Sequence, residues 1–387
     1  MNLSEVTNEN AADEFLKVNI IINQDDPNYI QPLEKDVKEI FNPKKNKAFR
    51  SGEVIRWILK NETGELIGRI AAFTNKKYKS KGDEGPVGGI GFFECINSQP
   101  AADILFDVAK HWLLSKGMTA MDGPINFGER DRWWGLLVEG FVPPVYMLNY
   151  NPPYYKALFE NYGFKLFFEQ ICFGRMVDKP LEDKFFERHA KLAEDPAYQA
   201  RYIDKKKLPE FARDFATVYN EAWAGHGGLK QLNKDLVLKM FQQMKPVMDE
   251  KVIWFTYYND RPIAIWVNLP DLNQWFKHLH GRFDLFAKLK FLWVKATKPC
   301  KKFTGIVFGV VPDFQGKGVD SFMVVEGAKI IQHQLSYTEY EMQWIGDFNP
   351  KMINIAQTIA DKETRKLITY RYLFDQSREF KRHPILN

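Results

Sequence analysis

The sequence predicts an α/β (α+β) protein of two tandem domains, each a mixed central sheet flanked by helices. Three observations carry this. The chain has 387 residues, more than one ordinary core organises, so two domains of roughly 200 residues or fewer are the default. Each half reads as a hairpin, strand, helix, strand, helix and final strand, an order that implies a mixed sheet with helices on its faces. Between the halves, a charged stretch flanked by Pro180 and Pro196 reads as a linker with one helical run. The boundaries that follow are 1–178, 179–200 and 201–387.

In the first half, apolar-rich runs at 54–60 and 66–73 flank a turn at Glu62-Thr63-Gly64, which is hairpin grammar. Residues 89–95 give a further strand. The run 101–116 places Ile104, Leu105, Val108, Trp112 and Leu113 at helical spacing, and Gly117 stops it. A short helix over 152–162, opened by two prolines and closed by Gly163, leads into a strand at 164–176.

The second half repeats the order. A helix over 209–223 precedes strands at 252–258 and 263–269 around an Asn259-Asp260 turn. A strand at 304–311, a helix at 316–334, a strand at 340–345, a helix at 350–360 and a strand at 365–374 complete it. The stretch 281–302 is additional. Phe283, Phe286, Leu289, Leu292 and Trp293 follow helical spacing with lysines interleaved and trailing. Such a basic amphipathic helix packs on its own domain or makes peripheral contact with membrane lipid or a long acyl chain.

Composition narrows the function. Net charge is +5, too mild to argue for nucleic acid. Cys95, Cys172 and Cys300 lie far apart, without metal-ligand spacing, and read as reduced thiols of a cytoplasmic protein. The polar, acidic start MNLSEVTNENAADEF is no secretory signal, and no run of 18 apolar residues exists to span a bilayer. The sequence names no oligomeric state.

The chemistry concentrates at Val311 to Asp320. A buried strand meets a turn at Pro312-Asp313-Phe314, then Gln315-Gly316-Lys317-Gly318-Val319-Asp320 opens a helix. Glycines let backbone approach a ligand, and the free amides of a helix's first turn attract phosphate. A nucleotide P-loop is excluded, because Gly309 precedes Gly316 by seven positions and Gly318 stands where Ser or Thr would bind Mg²⁺. The dinucleotide fingerprint is absent too.

The segment resembles motif A of the GCN5-related acyl-CoA N-acyltransferases, Gln/Arg-x-x-Gly-x-Gly/Ala, as Gln315-x-x-Gly318-x-Asp320. Asp320 departs from the usual Gly or Ala. The resemblance extends to a branch of bacterial tandem-domain members through DDPNYIQPL (25–33), FNPKKNKAF (41–49), GRIAAF (68–73), GFFEC (91–95), YNPPYYKALFENYGF (150–164), LPDLNQ (269–274) and NPKM (349–352). It implies two tandem acyl-CoA N-acyltransferase-like domains, with acyl-CoA as cosubstrate on the second-half loop and no metal. The first half, reading CINSQPAADIL after Glu94, lacks the motif and is expected to be degenerate for CoA. The superfamily's proton-donating Tyr is matched by Phe159 and, in the second half, falls near Ala356.

Acyl transfer needs a neutral amine, and deprotonating a lysine-like amine at pH 7 costs about 4.6 kcal/mol. The resemblance points to Glu94, on the central strand of the first half, as base. Phe92 and Phe93 beside it would raise its pKa. In the second half the acid or base candidates are Glu221, His226 and Asp347. A capping or salt-bridge role is the alternative for each. Asn126, Arg130, Tyr154 and Tyr155 are candidates for a small-molecule acceptor pocket, as are Trp223, His226 and Asn349. The expected function is N-acylation of a small amine or amino-acid-like acceptor. The alternatives are a catalytically degenerate module that binds CoA or an acylated metabolite, and a lipid-directed acyltransferase.

Overall fold

The computed structural model describes residues 1–223 and 231–386. In the first half the elements are β1 (Asn2–Glu5), α1 (Glu9–Asn23), α2 (Glu34–Ile40), β2 (Gly52–Lys60), β3 (Leu66–Asn75), β4 (Val87–Cys95), α3 (Gln99–Ser115), β5 (Ala120–Gly123), β6 (Leu136–Glu139), α4 (Tyr155–Tyr162) and β7 (Lys165–Met176). Next come α5 (Asp183–Ala193), β8 (Tyr198–Tyr202), α6 (Leu208–Trp223), α7 (Lys234–Met244), β9 (Ile253–Tyr258), β10 (Arg261–Pro270), α8 (Asn273–Phe276) and α9 (Leu285–Thr297). The chain ends with β11 (Lys302–Val310), α10 (Val319–Gln334), β12 (Glu339–Met342), β13 (Ile345–Gly346), α11 (Pro350–Ile359) and β14 (Lys362–Leu373).

The hairpins form where turn chemistry places them. Gly64 takes φ +85 between β2 and β3, and Asn259 and Asp260 take φ +47 and +63 between β9 and β10. Two positive φ values match the right-handed twist of the flanking strands. Residues 179–200, expected to link the halves, contain α5 and the start of β8. Phe185 buries that helix in the second-half core, and β8 pairs antiparallel with β9.

The sheet runs β1-β2-β3-β4-β5-β14-β7-β12-β11-β10-β9-β8. The two halves therefore exchange their last strands. β14, which follows the second-half helix α11, lies beside first-half β5. β7, which follows first-half α4, lies beside second-half β12. β7 and β14 pair with each other over most of their length at the centre. The cores follow the exchange. Ile368, Tyr370 and Tyr372 of β14 sit in the first-half core, while Ile171 and Phe173 of β7 pack with Ala356 of α11.

A buried ion pair crosses this seam. The Arg365 guanidinium on β14 passes over β7 to Glu341 on β12, with Nε to Oε1 at 2.6 Å. It also donates to the carbonyls of Val142 (2.7 Å) and Pro143 (2.8 Å). Lys302 on β11 reaches Glu341 at 3.1 Å. Gly174 of β7, paired with Glu341, keeps the crossing open, since a Cβ there would lie 2.7 Å from the Thr364 side chain. Among the described residues no helix is long and apolar enough to cross a membrane.

Candidate functional site

Each half parts its sheet at one place. In the second half β11 and β12 pair in parallel only from Lys302↔Glu339 to Gly305↔Met342. Beyond that β12 gives way to β13, which turns to β7, and β11 continues to Val310 without that neighbour. A register shift against β10 puts a bulge at Ile306, which is 43% exposed. The resulting cleft is lined by Trp223, Ile306, Phe308, Tyr340, Trp344 and Asn349, among others. Gly309 admits Trp223, because a Cβ there would lie 2.1 Å from the indole. Among the described residues, no carboxylate or imidazole lines this cleft.

The loop from Val311 to Asp320 closes one end of β11. Val311 is buried and its N–H donates to Ile263 O at 2.9 Å, so that amide is held in the sheet and cannot polarise a thioester. Phe314 is buried as the anchor of a short 3-10 turn, and Gln315 folds back to donate to Val310 O at 2.9 Å. Gly316 and Gly318 take φ +73 and +85. Gly316 and Lys317 are exposed, and the amides of Gly316, Lys317 and Gly318 meet no acceptor among the described residues. Val319 and Asp320 form the first helical turn of α10 behind them. Unpaired amides ahead of a helix N-terminus make an anion cradle.

The other second-half candidates divide. Trp223 and Asn349 line the cleft, Asn349 also capping α11 at Met352 N (3.3 Å). Glu221 is bound to Arg261 at 2.7 Å, and Arg261 also holds Asp313 at 2.7 Å, so the carboxylate belongs to a surface ion network beside the loop. Asp347 is paired with Arg382. Both lie outside the cleft lining. His226 lies outside the described residues.

In the first half β4 and β5 pair only from Val87↔Ala120 to Gly89↔Asp122, and Phe92 takes φ +50 in a bulge against β3. The cleft there is more enclosed, and its lining includes Tyr29, Arg69, Phe92, Glu94, Trp133 and Tyr146. Glu94 is buried and takes four donors. They are Arg69 Nη2 at 3.3 Å, Tyr155 OH at 2.7 Å, Asn23 Nδ2 at 3.4 Å, and Asn19 Nδ2. Burial pushes its carboxyl up, while Arg69, Tyr155, Asn19 and Asn23 pull it down. Tyr155 OH also accepts from Cys95 N at 2.9 Å, and burial beside Glu94 holds the phenol well above its usual range. Arg69 Nε and Asn23 Oδ1 are buried without partners.

Tyr154 donates to Cys95 O at 2.7 Å. Asn126 is buried and donates to Glu129 O at 3.2 Å, and Arg130 lies over the Trp134 ring at 5.4 Å. Neither Asn126 nor Arg130 lines the first-half cleft. Sequence reasoning missed Arg69, Asn19, Asn23, Tyr29 and Tyr146. One signal was present, since Asn19 and Asn23 follow Phe15 at four-residue steps on the buried face of α1. Polar side chains at core positions need buried partners.

Glu94 and the 315–320 loop are not brought together. Between β4 and β11 the order is β4-β5-β14-β7-β12-β11, five strand steps, or roughly 24 Å at the usual inter-strand spacing. Glu94 therefore cannot be the base for a thioester held on β11. No residue lines both clefts among those described, but a cluster of buried side chains touches each. Trp344 lines the second-half cleft and packs against the cluster containing Leu148, which lines the first-half one.

The segment from Asp271 to Cys300, carrying α8 and α9, leaves the second half to roof the first-half cleft. Leu33 is buried with Trp275, Phe276 and Leu279, and Tyr146 packs on them. Asn273 Nδ2 donates to Pro144 O at 2.8 Å, and Glu34 N donates to Gly281 O at 2.8 Å. Asp271 anchors the segment, its Oδ1 accepting from Tyr146 N (3.1 Å) and Asn273 N (3.2 Å). Burial raises the Asp271 carboxyl to about 6, against those two amides. Its folded-state pKa exceeds the unfolded value of ~3.9, so its contribution to stability is full below pH ~4 and lost as pH rises through ~6. Asp271→Asn keeps the accepting oxygen. Denaturation from pH 4 to 7 should show the wild type losing about 2 kcal/mol relative to the variant across that window; parallel curves would contradict the assignment.

No family model matches the chain. A Caulobacter vibrioides protein named bacterial ceramide synthase is 25% identical over 352 residues, covering 89% of this chain and 90% of that one. A tandem GNAT (GCN5-related N-acetyltransferase) protein from the clavulanic acid biosynthesis pathway superposes with a TM-score of 0.53 at 9% identity, over 96% of this chain and 98% of that one. The glucosamine N-acetyltransferase region of a fungal multi-domain β-N-acetylglucosaminidase gives 0.54 at 13% identity, over 96% of this chain and 38% of that longer one. Among the described residues no group of three His, Cys, Asp or Glu side chains is placed to hold a metal. A sheet that parts once in each half, a glycine-flanked helix start in the second half, and these neighbours identify the architecture: the chain has the tandem fold of the GCN5-related N-acyltransferases.

Proposed function

We propose that the protein transfers an acyl group from acyl-CoA to the nitrogen of a long-chain, lipid-like amine, with the donor held in the second-half cleft. The observation that carries this is the loop ahead of α10, where the amides of Gly316, Lys317 and Gly318 meet no acceptor among the described residues, at the end of the strand from which β12 has parted. A diphosphate held there would direct its pantetheine arm along the free edge of β11, whose backbone groups pair with an amide-bearing chain as a strand would. The amine attacks the thioester carbon, the carbon–sulfur bond breaks, and the amine proton leaves while CoA departs as the thiol. That proton passes through water to the departing thiolate, so the amide forms and the thiol leaves with no net proton gained or lost.

The acceptor class rests on the first-half cleft, whose lining mixes aromatic and aliphatic side chains such as Leu16, Ile20, Phe92 and Trp133 with the polar cluster around Glu94 and further amide side chains. The relative's name, ceramide synthase, supports a lipid amide product. Glu94, with Arg69 and Tyr155, then acts as an anchor for a polar group of the bound chain. Release of free thiol should be followed with acetyl-CoA and palmitoyl-CoA against short amines and long-chain amino alcohols. Release is expected with the long-chain pair and at least about tenfold less with short amines. Binding of acyl-CoA without thiol release from any pair would overturn the catalytic reading, and faster turnover of acetyl-CoA with short amines would overturn the lipid one.

A further inference from the structure

Helix α9 has two apolar faces, and only one has a partner. Ala287, Phe291 and Val294 are buried, the last two in the cluster that roofs the first-half cleft. Leu285, Phe286, Leu289, Leu292 and Trp293 are 57–77% exposed, more than any other large apolar side chain among the described residues. With ~100° between successive residues these five occupy an arc of about 120°, and the buried three lie opposite. A lone exposed apolar side chain is ordinary, but five on one short helix are not.

The charges around this face say what covers it. Lys290 falls at one border of the exposed arc and Lys288 at the other, both exposed. Lys277, Lys298 and Lys301 are also exposed on the same segment, while Lys295 is turned away to Pro246 O. The carboxylate at the helix start, Asp284, is neutralised by Arg282 at 2.7 Å. An apolar arc edged by lysine ammoniums matches an interfacial helix, whose apolar side sinks among acyl chains while the ammoniums reach lipid phosphates.

We propose that α9 docks the protein on the surface of an anionic lipid bilayer, with Leu285, Phe286, Leu289, Leu292 and Trp293 inserted and Lys288 and Lys290 at the headgroups. The inner face of the same segment roofs the first-half cleft, so docking places that cleft against the membrane. The proposal does not depend on acyl transfer, and its test contains no acyl-CoA.

The test is co-sedimentation of the full chain with vesicles of phosphatidylcholine alone or mixed with phosphatidylglycerol. Phe286→Asp/Trp293→Asp and Lys288→Glu/Lys290→Glu are compared with wild type; all four positions are exposed and leave the core untouched. Wild type is expected to pellet with the mixed vesicles. Its partition coefficient should fall at least about tenfold in the apolar variant, and several-fold in the lysine variant, in high salt or on phosphatidylcholine alone. Wild type staying in solution, or an apolar variant that pellets equally, would overturn the proposal. So would a wild-type dimer in native mass spectrometry that the apolar variant abolishes without any vesicle binding, which would give the face to a second copy of the chain.

Discussion

Leucine in place of Arg365 is expected to lower the stability of the whole chain by about 3–5 kcal/mol, read by urea denaturation. Arg365 is fully buried and is the principal cation on Glu341, which is itself buried. Burial alone would raise the Glu341 carboxyl, but Arg365 and Lys302 hold it below its usual range. Removing the guanidinium leaves Lys302 as the one remaining cation on Glu341 among the described residues and strips the donors from the Val142 and Pro143 carbonyls. A buried charge that loses its partner costs far more than the pair was worth. The double variant Arg365→Leu/Glu341→Leu should recover much of the loss, since no carboxylate is then stranded. Because β14 completes the first-half sheet, the destabilisation should appear in probes of both halves. A loss under about 1 kcal/mol, within the range of a surface ion pair, would contradict the geometry.

The second large effect is at Gly318. Its φ of +85 lies where a β-branched residue costs ~1–2 kcal/mol, and a Cβ there would lie 3.3 Å from the Arg188 side chain. Gly318→Val should therefore displace the loop while leaving the cores intact. Losing two charge-assisted amide bonds to a diphosphate, at ~1.5 kcal/mol each, weakens CoA binding about 100-fold. Gly316→Ala is the milder comparison, because a Cβ there meets no neighbour and only the positive φ is penalised.

Local grammar was legible, and exchange between the halves was not. The turns at Gly64 and Asn259-Asp260, the stop at Gly163 and the helix opening at Gly318 are each dictated by residues a few positions apart. The last strands, read from 164 and 365, begin within three residues of β7 and β14. Their order in the sheet depends on pairings across nearly 200 residues, and nothing in the letters of β14 distinguishes β5 from β12 as a neighbour. The same limit separates Glu94 from the 315–320 loop. Both carry sound local chemistry, yet five strand steps lie between them. The 281–302 stretch shows a subtler case. Its helical period was visible, but α9 is apolar nearly all round, and sequence cannot say which arc is buried. The structure buries Phe291 and leaves Phe286 and Trp293 in solvent.

The grip of the α10 opening on a diphosphate is tested most directly by amide hydrogen exchange with and without coenzyme A. Slowed exchange in wild type, centred on residues 315–320 and lost in Gly318→Val, is the predicted result. Protection that appears instead at 95–101, ahead of α3, or no protection at 315–320 under saturating coenzyme A, would contradict the assignment of the donor to the second half.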